Sequence, residues 1–284
     1  MHYTTPLRPL AEHQYAVIDR LQVPELPFDW PVKELVSPML APQAHLYPWL
    51  LPLHELPADE WDELMKTLSH HADTVLPPIC SLLISTTLSR DELCSALVSA
   101  LYFQDKNRKG HILRYYDPRV LFHLSWMLTS RQLISQLSAH QIPDWTFWLD
   151  GQWHSLHFPA DMISQPAGDI GLPLEQLQRV GLINRVLQKL PYQHHMRLRQ
   201  DTSRKTDNLL IRAAMCGLLS EEDRIIFAYQ GVTRGESFWQ TPKMAAFLAQ
   251  VGQSPDCYRD ETQQWDEQRW QEMTQGHSWI QGRK

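Results

Sequence analysis

A change of hydrophobic pattern near residue 158 constrains the fold of this chain more than any single motif. Before it, short runs of branched and aromatic residues alternate with runs of helical spacing, a pattern typical of buried strands separated by helices. Beyond a Pro- and Gly-rich stretch, apolar residues recur every three or four positions, which indicates amphipathic helices. The sequence therefore predicts an α+β fold: an N-terminal mixed α/β lobe with a small sheet (residues 1–158), a linker (159–173) and a C-terminal all-helical lobe (174–284).

Individual elements of the N-terminal half follow from the same pattern. Strands are predicted within 14–21, 45–53, 78–85 and 111–116, and helices at 58–72 and 89–103. Ser89 with Glu92, and Thr129 with Gln132, have the spacing of a capping box, in which a hydroxyl and a second polar side chain bind the free N–H groups of a first turn. Helices are therefore predicted to begin at Ser89 and just after Thr129.

The C-terminal half predicts helices throughout. An apolar stripe is formed by Leu177, Val180, Ile183, Leu187 and Leu190. Further helices are predicted at 203–219, 221–231, 242–252 and 261–275. Two of these have marked starts, because Ser220 precedes an acidic run and Thr241 precedes a proline.

Composition excludes several classes of protein. With 284 residues, of which 43% are hydrophobic and 20% charged, the chain can bury a substantial core. A formal net charge of -6 argues against a general nucleic-acid binder, which needs an excess of Lys and Arg on one face. No apolar run reaches the roughly 18 to 20 residues of a membrane-spanning helix, and the first residues lack a secretory-signal pattern. We therefore expect a cytoplasmic protein with no membrane partner.

Motifs for catalysis and metal binding are not found in the sequence. It contains no GxSxG, GxxxxGK[ST], GxGxxG or HExxH pattern. Its four cysteines form no CxxC pair, so neither a zinc site nor a disulfide framework is predicted. Adjacent histidines occur at 70–71 and 194–195, but neighbours on a helix point about 100 degrees apart and seldom share one ion. We expect surface histidines, no metal and no cofactor.

The stretch "GHILRYYDPRVLFHLSWML" from residue 110 joins two hydrophobic runs through an acid and a proline. Asp117 stands where an N-cap belongs and Pro118 where the first helical residue belongs, so a strand is predicted to end and a helix to begin here. The residues alone leave three roles open for Asp117: a structural cap, a catalytic carboxylate or a contact with a partner. Arg114 and Arg119 flank the acid and are candidates to pair with it or with a partner.

The segment "RYYDPRVL", the two short predicted helices after it and the predicted hairpin "WTFWLDGQW" resemble the core signature of the type VI secretion adaptor family. This is a group of bacterial effector chaperones first catalogued as a domain of unknown function. The early "YAVIDRL" is similar to the family's opening strand, and the capped helix at 89–103 falls where the family has a helix. The resemblance covers roughly residues 13–155, and the helical half shows no family motif.

The resemblance implies a chaperone or adaptor that binds a toxic effector in the cytoplasm and helps to load it onto the VgrG spike of the secretion apparatus. It implies protein-protein interaction without catalysis. Carried over by position, this chain's copy of the signature is Arg114, Tyr116, Asp117, Pro118 and Arg119, with either a structural or a partner-binding role. The alternative function is a hydrolase or a carbohydrate-binding accessory protein with an unrecognised site.

Three tryptophans are further candidates for partner binding. Trp145, Trp148 and Trp153 cluster in a predicted β-hairpin whose turn is Asp150 and Gly151. Core packing is one explanation of this cluster. Aromatic residues also dominate interface energetics and line carbohydrate platforms, so these two alternatives stay open.

A basic segment supplies two more candidates. From 179 to 205 the chain carries seven Lys and Arg residues against the single acid Asp201. A solvated basic face is one interpretation, and a surface that steers an acidic partner is another, with nucleic acid a weaker option. Arg197 and Arg199 are the candidate contacts for such a partner.

Overall fold

The computed structural model describes residues 3–4, 8–70, 77–158, 171–191, 195–252 and 254–274. The chain divides into two compact units, Met1–Leu174 and Glu175–Lys284. The first unit combines an antiparallel sheet with short helices and the second is helical, which confirms the predicted α+β class. Most of the predicted linker, 159–170, lies outside the described residues, so the linker stays a prediction.

The N-terminal unit contains nine strands and four α-helices among its described residues. The strands are β1 (Tyr3–Thr4), β2 (Tyr15–Ile18), β3 (Lys33–Glu34), β4 (Trp49–Pro52), β5 (Leu82–Ser85), β6 (Tyr102–Gln104), β7 (Gly110–Ile112), β8 (Asp144–Leu149) and β9 (Gln152–His157). The helices are α1 (Ala58–His70), α2 (Arg90–Ala100), α3 (Pro118–Met127) and α4 (Ser130–Gln136), with 3-10 turns at Leu10–Glu12, Pro38–Leu46 and Leu53–Glu55.

Seven of these strands form one antiparallel sheet in the order β1-β9-β8-β5-β2-β4-β3, and β6 pairs only with β7. Strand β2 lies between β4 and β5, so that Val17 has Leu50 as its partner on one side and Leu82 on the other. All four residues of β5 are buried. A strand buried on both faces needs a continuous apolar run, which is the pattern that predicted strands in this half of the chain.

Strands β8 and β9 form the predicted hairpin. Trp148 has Trp153 as its cross-strand partner, and the turn consists of Asp150 and Gly151. The φ angles of these two residues are 53° and 83°, and two positive φ angles are the requirement that favours Asp-Gly in such a turn. The hairpin prediction is therefore confirmed in its ends and in its turn chemistry.

The core of the N-terminal unit packs α1 against one face of the sheet. Leu64 and Leu68 of α1 belong to the same buried cluster as Ile18, Trp148 and Trp153. The indole N–H of Trp153 donates a hydrogen bond of 3.1 Å to the carbonyl of Leu68. Burial of these side chains supplies the main driving force for folding of this unit.

The predicted helix starts are confirmed in atomic detail. Both capping boxes form, with Ser89 accepting from the Glu92 N–H and Thr129 from the Gln132 N–H. Asp117 caps α3 and Pro118 is its first residue. These features depend on residues within four positions of one another, so the local sequence suffices to specify them.

The strand predicted at 111–116 is shorter than expected, because β7 ends at Ile112. The next residues form a tight turn, in which the Asp117 N–H donates to the Arg114 carbonyl at 3.0 Å. The turn carries Tyr115 into the core, where its hydroxyl donates to the Leu97 carbonyl at 3.0 Å. Tyr115 therefore packs into the core from a turn, and the strand ends earlier than predicted.

The C-terminal unit contains seven α-helices among its described residues. They are α5 (Leu174–Gln178, beginning at the unit boundary), α6 (Val180–Leu187), α7 (Met196–Met215), α8 (Glu221–Arg234), α9 (Pro242–Val251), α10 (Cys257–Thr262) and α11 (Glu267–Thr274), with a 3-10 turn at Phe238–Gln240. The predicted caps Ser220 and Thr241 accept from the N–H groups of Asp223 and Met244.

Some helix boundaries differ from prediction. Helix α7 begins at Met196, well before the predicted 203, and the helix predicted at 261–275 is replaced by α10 and α11. The stripe from Leu177 to Leu190 is divided between α5 and α6, and its last member, Leu190, lies beyond the end of α6. Apolar periodicity alone does not mark where a helix is interrupted, so these breaks were not predictable from spacing.

Close packing of α7 on α8 depends on a glycine. A Cβ atom built on Gly231 of α8 would lie 2.5 Å from Cδ2 of Leu209 on α7. Leu209 is buried, so a side chain at position 231 would displace it or separate the helices. This contact fixes α7, the helix that carries most of the basic segment.

Candidate partner-binding site

Two buried carboxylates hold two arginines at one corner of the N-terminal unit. We call Asp19, Arg114, Tyr116, Asp117 and Arg119 the arginine corner. Asp117 lies at the start of α3 and Asp19 directly follows the buried strand β2. The carboxylates are 4% exposed, whereas the side chains of Arg114 and Arg119 are 40% and 43% exposed. The corner thus presents its cations and hides its anions.

Asp117 has both carboxylate oxygens occupied by Arg119. Its Oδ1 accepts from the backbone N–H and the Nε–H of Arg119, both at 3.0 Å, and its Oδ2 accepts from Nη2 at 2.7 Å. The backbone bond is the cap of α3. The guanidinium therefore folds back onto the residue that starts its own helix, and the bond to Asp117 raises the pKa of Arg119.

Arg114 spans the distance between the signature and the first long strand. Its Nη2 donates to Asp19 Oδ2 at 3.0 Å and its Nε to the Tyr116 hydroxyl at 3.2 Å. Asp19 also accepts from the Leu21 N–H and from the Gln22 side chain, each at 3.1 Å. These contacts join residues 95 positions apart in sequence and connect the signature turn to β2.

The two tyrosines beside Asp117 are buried. Tyr115 is fully buried and stands edge-on to Trp145, with ring centroids 5.6 Å apart. Tyr116 is buried with the Arg114 guanidinium 5.5 Å from its ring centroid. Burial raises the pKa of both phenols, so both stay protonated at neutral pH.

Each arginine of the corner keeps a donor for another molecule. Among the described residues, Nη1 of Arg114 and Nη1 of Arg119 have no hydrogen-bond partner. Leu21 and Ile112, each two positions from a member of the Asp19–Arg114 pair, are both 52% exposed. Cationic donors fixed on buried carboxylates suit a carboxylate or carbonyl group of a partner protein.

The sequence motifs do not single out Asp19, although its position carries a signal. It follows the run Tyr-Ala-Val-Ile, and an acid directly after a buried strand needs a partner when it is itself buried. What the sequence could not supply was the identity of that partner, Arg114.

The structure places the candidate tryptophans in the core. Trp145, Trp148 and Trp153 are 0%, 5% and 9% exposed. Trp145 donates its indole N–H to the Ile142 carbonyl at 2.9 Å, and Trp153 donates its own to the Leu68 carbonyl of α1. The core-packing interpretation replaces that of a binding surface, because a partner could reach these rings only if the unit opened.

The basic segment is divided by the fold. Arg197 is exposed and Arg199 is buried, so only Arg197 of the two candidates lies at the surface. Arg179 binds the buried Asp207, and Arg185 pairs with Glu221 and Glu222. The cations that remain at the surface therefore lie mainly along α7.

Metal binding and membrane insertion find no candidate in the part of the chain that the structure describes. No group of three or more His, Cys, Asp and Glu side chains there is arranged to hold a metal ion. No helix there is long and apolar enough to cross a bilayer. His71 and His194, one member of each predicted histidine pair, lie outside the described residues.

Comparison with protein families gives a match on the segment that contains the arginine corner. No curated protein and no solved structure matches the chain. Residues 14–135 match the sequence model of the family described as Domain of unknown function (DUF4123).

Proposed function

We propose that this chain is a type VI secretion adaptor, a non-catalytic chaperone that binds a toxic effector in the cytoplasm and loads it onto the VgrG spike. The observation that carries the proposal is the family match over 14–135. It covers most of the segment that resembles the adaptor signature, including "YAVIDRL" and "RYYDPRVL" but not the hairpin "WTFWLDGQW". An adaptor needs surfaces for two proteins and no reacting groups.

The state of Asp117 supports a role without catalysis. A general acid or base must reach a proton of its substrate, but Asp117 is 4% exposed and both its oxygens accept bonds from Arg119. Its cap on α3 gives the carboxylate a structural purpose. The most conspicuous acid of the signature is therefore used within the fold.

The arginine corner supports a role in binding. Two half-exposed guanidinium groups, fixed by buried acids, lose little freedom when a partner binds them. Leu21 and Ile112, each two positions along the chain from Asp19 or Arg114, add exposed apolar side chains to these cationic donors. Protein interfaces are enriched in this combination of arginine and apolar contact.

Co-purification tests the proposed function. The tagged chain is co-expressed with the effector encoded beside it and with VgrG, and the complexes are separated by size-exclusion chromatography. We expect one complex that contains all three proteins. A chain that elutes alone in the presence of both partners at micromolar concentration would refute the proposal.

Two variants and a control variant test the part played by the corner. Arg114→Gln and Arg119→Gln remove the exposed charges, whereas Arg20→Gln removes an arginine that pairs with Glu34 outside the corner. We expect the first two variants to lose one of the two partners and the third to keep both. Equal binding by all three variants would show that the corner is not part of the interface. The co-purification would then remain the test of the adaptor role.

A further inference from the structure

A groove lies on the helical unit between the C-terminal half of α7 and the 3-10 turn Phe238–Gln240. Its volume is about 640 Å³. The side chains that could contact a ligand there are Asn208, Ile211, Arg212, Met215, Glu236 and Trp239. We call this surface the α7 groove.

Apolar side chains of the α7 groove are open to solvent. Ile211 is 37% and Met215 69% exposed. They are four positions apart and therefore lie on one face of α7. Trp239 forms the opposite side and donates its indole N–H to the Glu236 carbonyl at 2.9 Å, which fixes the ring. Exposed apolar side chains gathered in a concave surface mark interaction sites.

The exposed charge along α7 is mainly positive. Exposed cations on α7 are Arg197, Arg204, Lys205 and Arg212, against the exposed acid Asp201. Glu236 of the groove pairs with Lys205 at 3.2 Å. The cations exceed these acids along the helix, so an acidic partner is electrostatically favoured.

Cationic and apolar residues are aligned along α7. Arg197, Arg204 and Ile211 are spaced by seven residues, which places them on one face of a helix. Arg212 lies at the groove itself, with its guanidinium 5.9 Å from the Trp239 ring centroid and Nη1 3.7 Å from the Met215 sulfur. A ligand seated on the apolar residues would thus meet the Arg212 guanidinium.

We propose that the α7 groove binds an amphipathic helix whose apolar stripe is bordered by acidic residues. Such a helix places its apolar side chains on Ile211, Met215 and Trp239 and a carboxylate beside Arg212, as in other helix-in-groove interfaces. The helix belongs to the secreted effector. This last assignment rests on the proposed adaptor function, whereas the groove and its charge do not.

A second copy of this chain does not supply such a helix from α1 or α11. Both helices are acidic, but α1 buries Leu64, Met65 and Leu68, and α11 buries Trp270 and Met273. Their apolar stripes are already used within their own units. Dimerisation that Met215→Gln abolishes would overturn the assignment to a partner protein.

A pair of synthetic peptides tests the groove without any knowledge of the effector. Each has about 20 residues, which makes a helix about as long as α7, and both carry the same leucine stripe. One is flanked by Glu and the other by Lys. By fluorescence anisotropy, we expect the Glu peptide to bind at least about tenfold more tightly than the Lys peptide. Equal affinities, or no binding of the Glu peptide, would overturn the proposal.

Substitutions locate the binding. Met215→Gln and Arg212→Gln are each expected to lower the affinity for the Glu peptide by about tenfold. Arg212→Lys is expected to keep most of that affinity. Met39→Gln is the matched control, because Met39 is a 90% exposed methionine of the N-terminal unit. Circular dichroism checks that the variants fold. Wild-type affinity in both Met215→Gln and Arg212→Gln would contradict the assignment.

The effector itself separates the two proposals. If the wild-type chain and Met215→Gln bind the effector equally, the α7 groove is not the effector site, and the adaptor function stands. If the wild-type chain binds no effector while the Glu peptide still discriminates between variants, the adaptor function fails and the groove remains an acidic-helix site.

Discussion

The arginine corner and the α7 groove place an arginine against an aromatic ring in both cases, but they use the pair in opposite ways. In the corner, Arg114 lies 5.5 Å from the Tyr116 ring centroid and bonds to the buried Asp19. In the groove, Arg212 lies 5.9 Å from Trp239 and contacts the exposed Met215. The first arrangement connects distant parts of the fold, and the second leaves apolar surface open to a partner.

The comparison shows that the residues of a conspicuous motif can be required by the fold itself. Tyr-Asp-Pro-Arg stands out in the sequence, yet Tyr116 and Asp117 are buried and Asp117 caps a helix. Ile211, Met215 and Trp239 belong to no motif, and they form the open groove. Buried and exposed residues should therefore respond differently to substitution.

The free energy of unfolding should change most when a core tryptophan is replaced and hardly at all when a groove residue is replaced. Trp145→Ala should lower the free energy of unfolding of the N-terminal unit by about 3–5 kcal/mol, because it removes a fully buried ring. Met215→Ala should change the stability of the helical unit by less than about 0.5 kcal/mol, as a surface substitution does. Chemical denaturation followed by circular dichroism measures both. A loss below about 1 kcal/mol for Trp145→Ala would show that the ring is not part of a packed core.

A pair of glycines sharpens the contrast inside the helical unit. Gly231→Ala should cost about 1–3 kcal/mol because the new Cβ meets Leu209. Gly181→Ala, in α6, meets nothing within 4 Å and should stabilise the unit by about 0.4–1 kcal/mol. Thermal unfolding of both variants provides the comparison. Equal melting temperatures would contradict the close approach of α7 and α8.

A smaller effect is expected at the cap of α3. Asp117→Ala should cost about 1 kcal/mol of stability, whereas Asp117→Asn keeps a capping oxygen and should cost less than half as much. The Arg119 side chain is 43% exposed, so solvent weakens its ion pair with the buried Asp117. Urea denaturation distinguishes the two variants. If Asn were as damaging as Ala, the charge and not the cap would be the main contribution of Asp117.

The smallest effect is a selective response of the two units to acid. Among the described residues, the buried histidines His13, His123 and His154 all lie in the N-terminal unit. Burial lowers the pKa of His13, against the opposing hydrogen bonds of its ring to the Leu10 and Pro9 carbonyls. A folded-state pKa below the unfolded value of 6.5 means that the unfolded chain binds more protons. Stability due to neutral His13 is therefore complete above pH 6.5 and decreases as the pH falls below it.

Hydrogen exchange at pH 7 and pH 5, read by mass spectrometry, resolves the two units. The N-terminal unit should lose protection at the lower pH, and His13→Gln should lose less of it than the wild type. A larger loss of protection in the helical unit would contradict this assignment.

Much of the fold was predictable because its signals are local. The capping boxes at Ser89 and Thr129 and the Asp150–Gly151 turn each depend on neighbouring residues. The end of β7 at Ile112 was not predictable, since it depends on the hydrogen bond from the Tyr115 hydroxyl to the Leu97 carbonyl of α2. Tertiary contacts of this kind override local propensity.

The candidate surfaces were less predictable than the fold. The signature residues were found, but their anchor Asp19 lies 95 residues from Arg114. Trp145 and Arg199 were candidates for contact and are buried, because residue type alone does not say which face of an element packs inward. The α7 groove needs the turn Phe238–Gln240 to meet α7, and that meeting is a property of the folded unit alone.

The mass of the assembled complex tests the proposed adaptor role most directly. Light scattering on the purified chain, its neighbouring effector and VgrG measures whether they form one particle of defined stoichiometry. We expect a single species whose mass is the sum of its three components, formed equally well by Asp117→Asn. A species with the mass of this chain alone, in the presence of both partners at micromolar concentration, would contradict an adaptor role.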